Sequence, residues 1–144
     1  MSENSFIGFD YGSQFIGIAV GSRFSGLAEG LGTVPMHPSG PDWQQIDRYM
    51  NEWRPDALVV GLPLNMDGTD TGTTPAARQF GEALQDRYNL PIYMVDERLS
   101  TRAARHTLET SGKKTRRGDK PKLDKLAAQT ILQSYLNDNP GQTT

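Results

Sequence analysis

The chain has 144 residues and a mass of 15.9 kDa, with 35% hydrophobic residues, 22% charged residues, 15 Gly and 9 Pro, the size and mixture of one globular domain. Cysteine is absent and histidine is limited to His37 and His106, which excludes disulfide scaffolds, thiolate zinc sites, thiol catalysis and multi-His metal cages. The net charge of −2 conceals a division: residues 1–97 hold 5 basic and 13 acidic residues, whereas residues 98–125 hold 10 basic and 3 acidic, a local excess of +7 that suits a polyanionic partner.

Three apolar segments open the chain, Phe6 to Tyr11, Phe15 to Val20 and Leu27 to Val34, separated by glycine-containing turns, and they read as consecutive antiparallel strands. A first helix follows, with Asp42 as N-cap, Gln45 in the capping-box position, and Ile46, Tyr49, Met50 and Trp53 at helical spacing. Trp43 and Trp53 are expected to pack in the core or at its edge. Ala57 to Gly61 has no polar member, as expected of a central parallel strand covered on both faces. Residues 62–73 are loop by composition. Pro75 suits a first helical turn, and Ala76, Phe80, Leu84 and Tyr88 mark the face of a second helix.

Pro91 to Val95 is the next strand, Ser100 to Thr110 a third helix, Lys113 to Pro121 a basic loop and Leu123 to Tyr135 the last helix. The order β-β-β-α-β-α-β-α-α gives an α/β fold with a mixed five-stranded sheet flanked by helices, the element order of the ribonuclease H-like fold. A single domain over residues 1–137 is expected, with 138–144 as a flexible tail. The short apolar runs and the N-terminus MSENSF predict no membrane segment or leader, hence a cytoplasmic protein.

Three carboxylates stand where charges are costly. Asp10 shares a strand face with Phe6 and Gly8, and a buried charge needs a compensating partner; an ordinary Asp would instead serve the Gly12 turn. Asp96-Glu97-Arg98 follows an apolar strand at the end where open α/β sheets place ligand-binding residues, and alternation lets only one of Asp96 and Glu97 face the same way as Met94. An ion pair to Arg98 with a helix cap is the alternative. Asp124 stands 4, 7 and 11 residues before Ala128, Ile131 and Tyr135, on an apolar stripe; a dipole contact at the helix start explains an exposed Asp better than an inward one. Oxygen ligands without His or Cys point to Mg²⁺ or Mn²⁺, and such a site beside a basic segment is what a metal-dependent nuclease requires. Arg98, Arg102, Lys113, Lys114, Arg116, Arg117, Lys120 and Lys122 are the expected phosphate contacts.

The segments FDYGSQFIGIAVG, VVGLPLNMDG, VDERLST and KLDKLAAQTIL resemble the YqgF/RuvX family, relatives of the RuvC resolvases in the ribonuclease H-like superfamily, from about Phe6 to Tyr135. The resemblance implies Asp10, Glu97 and Asp124 as catalytic, metal-holding residues, with Gly12, Gly61, Pro63, Asn65 and Asp67 in loops near the site. It also implies a nuclease maturing the 5′ end of precursor 16S rRNA or, alternatively, a Holliday junction resolvase acting on branched DNA. Many members carry basic residues shortly after the first-strand glycine, where this chain has Gln14 and Phe15, which bring no cation for a hairpin contact to phosphate.

Two other classes compete. FDYGSQFIGIAVG also resembles the phosphate-binding turn of the actin, Hsp70 and sugar-kinase ATPases, which close two such domains around a nucleotide and need more chain than this. A non-catalytic nucleic-acid-binding factor would use residues 98–125 alone, yet gains nothing from anions beside phosphate. A junction resolvase needs two sites and therefore a dimer, whereas an RNA-trimming enzyme works as a monomer, so a monomer or weak homodimer is expected.

Overall fold

The computed structural model describes residues 3–97 and 120–140, the side chains of the second stretch from residue 125 onward. Its elements are β1 (Ser5–Tyr11), β2 (Phe15–Ser22), β3 (Leu27–His37), β4 (Gly40–Pro41), α1 (Trp43–Trp53), β5 (Ala57–Leu62), α2 (Thr74–Tyr88), β6 (Ile92–Asp96) and α3 (Lys120–Asp138). The sheet order is β4-β3-β2-β1-β5-β6, with β1, β5 and β6 parallel and the β1–β2–β3 meander antiparallel. The sheet is mixed, as expected, but has six strands and not five. The addition is the two-residue β4, formed where the chain turns at Gly40 (φ 124°) and pairs back on Met36 and His37.

Alternation along the strands divides the core into two layers. Ile7, Phe9, Ile16, Ile18, Leu58 and Val60 face α1 and α2, where they meet Ile46, Met50, Phe80 and Leu84. Phe6, Ala19, Ala57 and Val59 face α3, where they meet Ala128, Ile131, Leu132, Tyr135 and Leu136. Where α3 crosses the middle of β1 the sheet carries glycine, so the helix sits close. A Cβ on Gly8 would stand 2.9 Å from Leu132 Cβ and 3.5 Å from the Ala128 carbonyl oxygen. The phenyl ring of Phe6 lies 5.4 Å from that of Tyr135, so α3 runs antiparallel to β1 and brings its N-terminal end toward the carboxyl end of that strand.

Asp42 caps α1 by accepting the Gln45 N–H at 3.2 Å. The Gln45 side-chain amide donates to the Asp42 carboxylate at 3.1 Å, at the oxygen that His37 Nε2 approaches to 3.0 Å, and the reciprocal capping-box bond is replaced by donation of the Asp42 N–H to Pro35 O at 3.3 Å. Hydrogen bonds from His37 and then from Gln45 hold the Asp42 pKa below its usual value. Arg54 in the left-handed region (φ 43°) closes the helix before Pro55.

Helix α2 buries Ala77 where the periodicity favoured Ala76, and also Thr74, Phe80, Gly81 and Leu84. Trp43 stacks on Phe80 at 5.8 Å, as expected of a core residue, whereas Trp53 is exposed and belongs to neither core layer. Helix α3 extends the expected 123–135 span by three residues at each end, taking Lys120 and Pro121 from the expected basic loop; proline is tolerated in a first helical turn. The outer edge of β3 is covered by α3: Gln129 and Gln133 accept the N–H groups of Gly30 (3.0 Å) and Ala28 (2.8 Å), which satisfies an otherwise open strand edge. Among the described residues no helix is long and apolar enough to cross a membrane. The expected third helix, Ser100 to Thr110, and His106 lie outside the described residues.

Candidate active site

Asp10 ends the β1 face that carries Phe6 and Gly8, so its carboxylate belongs to the α3 side of the sheet. It is buried, at 8% exposure. In the β1–β5 register the last pair is Phe9 with Val60, and one step further Asp10 stands level with Gly61. Gly61 pairs with Val95 on β6. Tyr93 and Val95 pack against the α3 layer, and the same alternation turns Glu97 to that side, also at 8% exposure. Asp96 turns the other way with Ile92 and Met94 and is exposed. The ambiguity of the acidic pair is thus resolved in favour of Glu97 as the inward residue.

Gly61, level with Asp10 in the strand register, lies against Glu97. A Cβ there would stand 2.5 Å from Glu97 Oε2, and closer still to Ile131 Cδ1. Gly61 lies within β5 and not in the loop expected near the site; its missing side chain leaves the space that the Glu97 carboxylate and the α3 core occupy, which gives it a positioning role.

Asp124 stands on α3 one turn before Ala128, whose carbonyl packs over Gly8. Its backbone is therefore at the end of the helix that approaches the carboxyl end of β1; its side chain lies outside the described residues. Lys120 and Lys122 occupy the first turn of α3, again without described side chains, while Arg98, Arg102, Lys113, Lys114, Arg116 and Arg117 lie outside the described residues altogether. Among the described residues no three His, Asp or Glu gather into one cluster. The two described carboxylates nevertheless suit a hard divalent cation, being oxygen donors on one sheet face, with Glu97 seated in the space above Gly61.

The loop after β5 is held by its own hydrogen bonds. Asn65 N–H donates to Thr69 O (2.8 Å), its side-chain amide donates to Thr69 Oγ1 (3.0 Å) and Asp70 O (2.9 Å), and Asp67 Oδ1 accepts both Thr69 N–H (3.0 Å) and Thr69 Oγ1–H (2.6 Å). Pro63 O accepts the hydroxyls of Thr71 and the buried Thr74. Arg78 of α2 makes a two-pronged ion pair to Asp70 at 2.6 and 3.0 Å, and this bonding lowers the Asp70 pKa. The expectation of a near-site loop thus acquires a second meaning: Asn65 and Asp67 shape the turn. The threonine-rich run TDTGTT was the sequence signal for this bracing. At the β1–β2 turn, a Cβ on Gly12 would fall 2.6 Å from Phe15 O, so that position requires glycine for the backbone to close.

The RuvX family model, described as Holliday junction resolvase, matches residues 4–138. The chain belongs to the RuvX family. RuvX relatives named "putative pre-16S rRNA nuclease" include those of Nitrosococcus oceani, 46% identical over 92% of this chain and 86% of the relative, and Pseudomonas fluorescens strain Pf0-1, 44% identical over 96% of each. The relative from Aeromonas salmonicida is 42% identical over 98% of this chain and 100% of its own. Among solved structures, Thermus thermophilus RuvC in complex with a Holliday junction substrate matches with a TM-score of 0.51 and 15% identity over 89% of this chain and 92% of that one. Fowlpox virus resolvase in complex with Holliday junction DNA matches with a TM-score of 0.56 and 9% identity over 93% and 97%. At these identities the structural likeness concerns the fold, which is that of the RuvC-type, ribonuclease H-like proteins.

Proposed function

We propose that this RuvX-family chain is a divalent-metal-dependent nuclease that processes the 5′ end of precursor 16S rRNA. The observation that carries the proposal is the pair of buried carboxylates, Asp10 and Glu97, turned to one face of the sheet beside Gly61. With Asp124 they would hold Mg²⁺ or Mn²⁺. Such an ion, when bound, supplies activation of water and neutralisation of charge on the phosphate. The chain's own residues provide the rest. The strand ends fix Asp10 and Glu97, burial keeps bulk water from them, and the excess of basic residues in 98–125 binds the RNA backbone.

RNA is favoured over a DNA junction because the relatives with the pre-16S name share 38–46% identity with this chain, whereas the junction-bound resolvases share 9–15%. An RNA end needs one site, so a monomer suffices, and the work belongs in the cytoplasm with the precursor. The test is to incubate the protein and its Asp10→Asn variant with a precursor 16S fragment and with a four-way DNA junction, each with Mg²⁺, Mn²⁺ or chelator. Cleavage of the RNA by the parent alone, and only with metal, is expected. Preferential junction cutting would instead make it a resolvase, and binding without cleavage of either would make it a non-catalytic factor.

A further inference from the structure

Among the described residues the polar or charged side chains that are buried are Asp10, Glu97 and Thr74, and Thr74 is buried completely. A hydroxyl is costly to remove from water unless its hydrogen-bonding capacity is used, and here it is. Thr74, the first residue of α2, donates from Oγ1 to Pro63 O and accepts the Thr71 N–H at 2.7 Å. It therefore ties the start of α2 to the exit of β5 and leaves residues 64–73 as an excursion outside the clamp.

The clamped carbonyl stands two residues beyond Gly61, where β5 is held unevenly. Its ladder with β1 ends at Phe9–Val60, whereas its ladder with β6 continues through Gly61–Val95 to Leu62–Asp96. Asp10 stands on β1 level with Gly61, and Glu97 directly follows Asp96, with Oε2 2.5 Å from where a Gly61 Cβ would be. The separation of the two carboxylates thus depends on where the last residues of β5 lie between β1 and β6, at the point where the β1 ladder has stopped. Thr74 supplies a hold from the helix side instead. Thr71 Oγ1 reaches the same carbonyl at 3.4 Å, a weaker contact that does not replace it.

We propose that Thr74 is a positioning residue: through Pro63 it fixes the end of β5, and with it the spacing of Asp10 and Glu97 that a divalent cation needs. The proposal rests on the metal-dependent nuclease function given above and adds to it a residue that acts through the strand. A small ion such as Mg²⁺ demands near-ideal ligand geometry, so slackness in the strand end costs metal affinity before it costs the fold.

The experiment compares the parent with Thr74→Val, which keeps the shape of the side chain and removes the hydroxyl, and Thr74→Ser, which keeps the hydroxyl. Mn²⁺ binding is titrated through the electron paramagnetic resonance signal of the free ion, and thermal midpoints are taken with chelator. Thr74→Val should weaken Mn²⁺ binding by about 10-fold, the lower end of what residues supporting metal ligands contribute, and raise the Mn²⁺ needed for half-maximal cleavage by the same factor. Thr74→Ser should restore most of both. Parental Mn²⁺ affinity in Thr74→Val, whatever its thermal midpoint, would overturn the positioning role and leave the nuclease assignment standing, as would equal losses in Thr74→Val and Thr74→Ser. Failure of Thr74→Val to fold would do the same, since the hydroxyl would then serve the fold and not the site. A parent that binds no Mn²⁺ would overturn the metal-dependent assignment and the role of Thr74 with it.

Discussion

Gly61 and Glu97 occupy one space: the Glu97 Oε2 atom lies 2.5 Å from the point where a Gly61 side chain would begin. Carbon and oxygen do not approach so closely without bonding, so any side chain at position 61 must displace the carboxylate, the neighbouring Ile131, or both. Gly61→Ala should therefore cost about 1–3 kcal/mol of stability through overpacking and lower cleavage by more than that loss explains. Adding Ile131→Val removes the methyl group nearest the new Cβ and should restore much of the thermal midpoint while activity stays low. Recovery of both together would mean that the glycine serves packing and not the placement of Glu97.

Asp10→Asn and Glu97→Gln should fold as well as the parent or better, since each removes a buried charge, and both should lose cleavage. The parent should gain thermal stability on addition of Mn²⁺ or Mg²⁺, by about 2.7 kcal/mol at a hundred times the dissociation constant. The two variants should gain much less. Thermal scans with metal and with chelator make the comparison, and unfolding of the variants without metal would show the carboxylates to be structural.

Asp47 ties α1 to α2. It accepts from Arg87 Nε at 2.9 Å, Arg87 Nη2 at 2.6 Å and the Tyr88 hydroxyl at 2.5 Å. The Arg87 bond, ahead of that from Tyr88, lowers the Asp47 pKa below the usual 3.8. A lowered carboxylate pKa means stability that is fully present above the unfolded value and is lost as pH falls through the folded one. Asp47→Asn should thus destabilise the protein at neutral pH by about 0.2–1 kcal/mol, the range of solvent-exposed pairs. The gap between parent and variant should close in denaturation curves taken progressively below pH 3.8. A gap independent of pH would remove the charge from the explanation.

Binding of RNA should weaken with salt in proportion to the phosphate contacts made. Each contact to a single strand contributes about 0.7 to the slope of log K against log salt. Replacing Lys113, Lys114, Arg116 and Arg117 together by Ala should flatten that slope by up to roughly 3 units, four contacts at that rate, and leave the thermal midpoint in place. An unchanged slope would move the phosphate-binding surface elsewhere on the molecule.

The sequence by itself determined the order of the principal elements, because strand alternation and helix periodicity are local: FIGFDY, ALVVG and PIYMV could be little else than strands, and Asp42 announced α1. It also determined that Asp10 lies on the face of Phe6 and Gly8, since a period of two leaves no choice. Which of Asp96 and Glu97 turned inward was decided only by the tertiary structure. Alternation relates each to Met94 but does not say which face α3 covers. The contact of Gly61 with Glu97, the preference of α2 for Ala77, the diversion of Gln45 to the Asp42 carboxylate and the covering of the β3 edge by Gln129 and Gln133 have the same origin. Each depends on what a distant segment brings to the site, and a residue far away in sequence leaves no trace in the local pattern from which strands and helices are read.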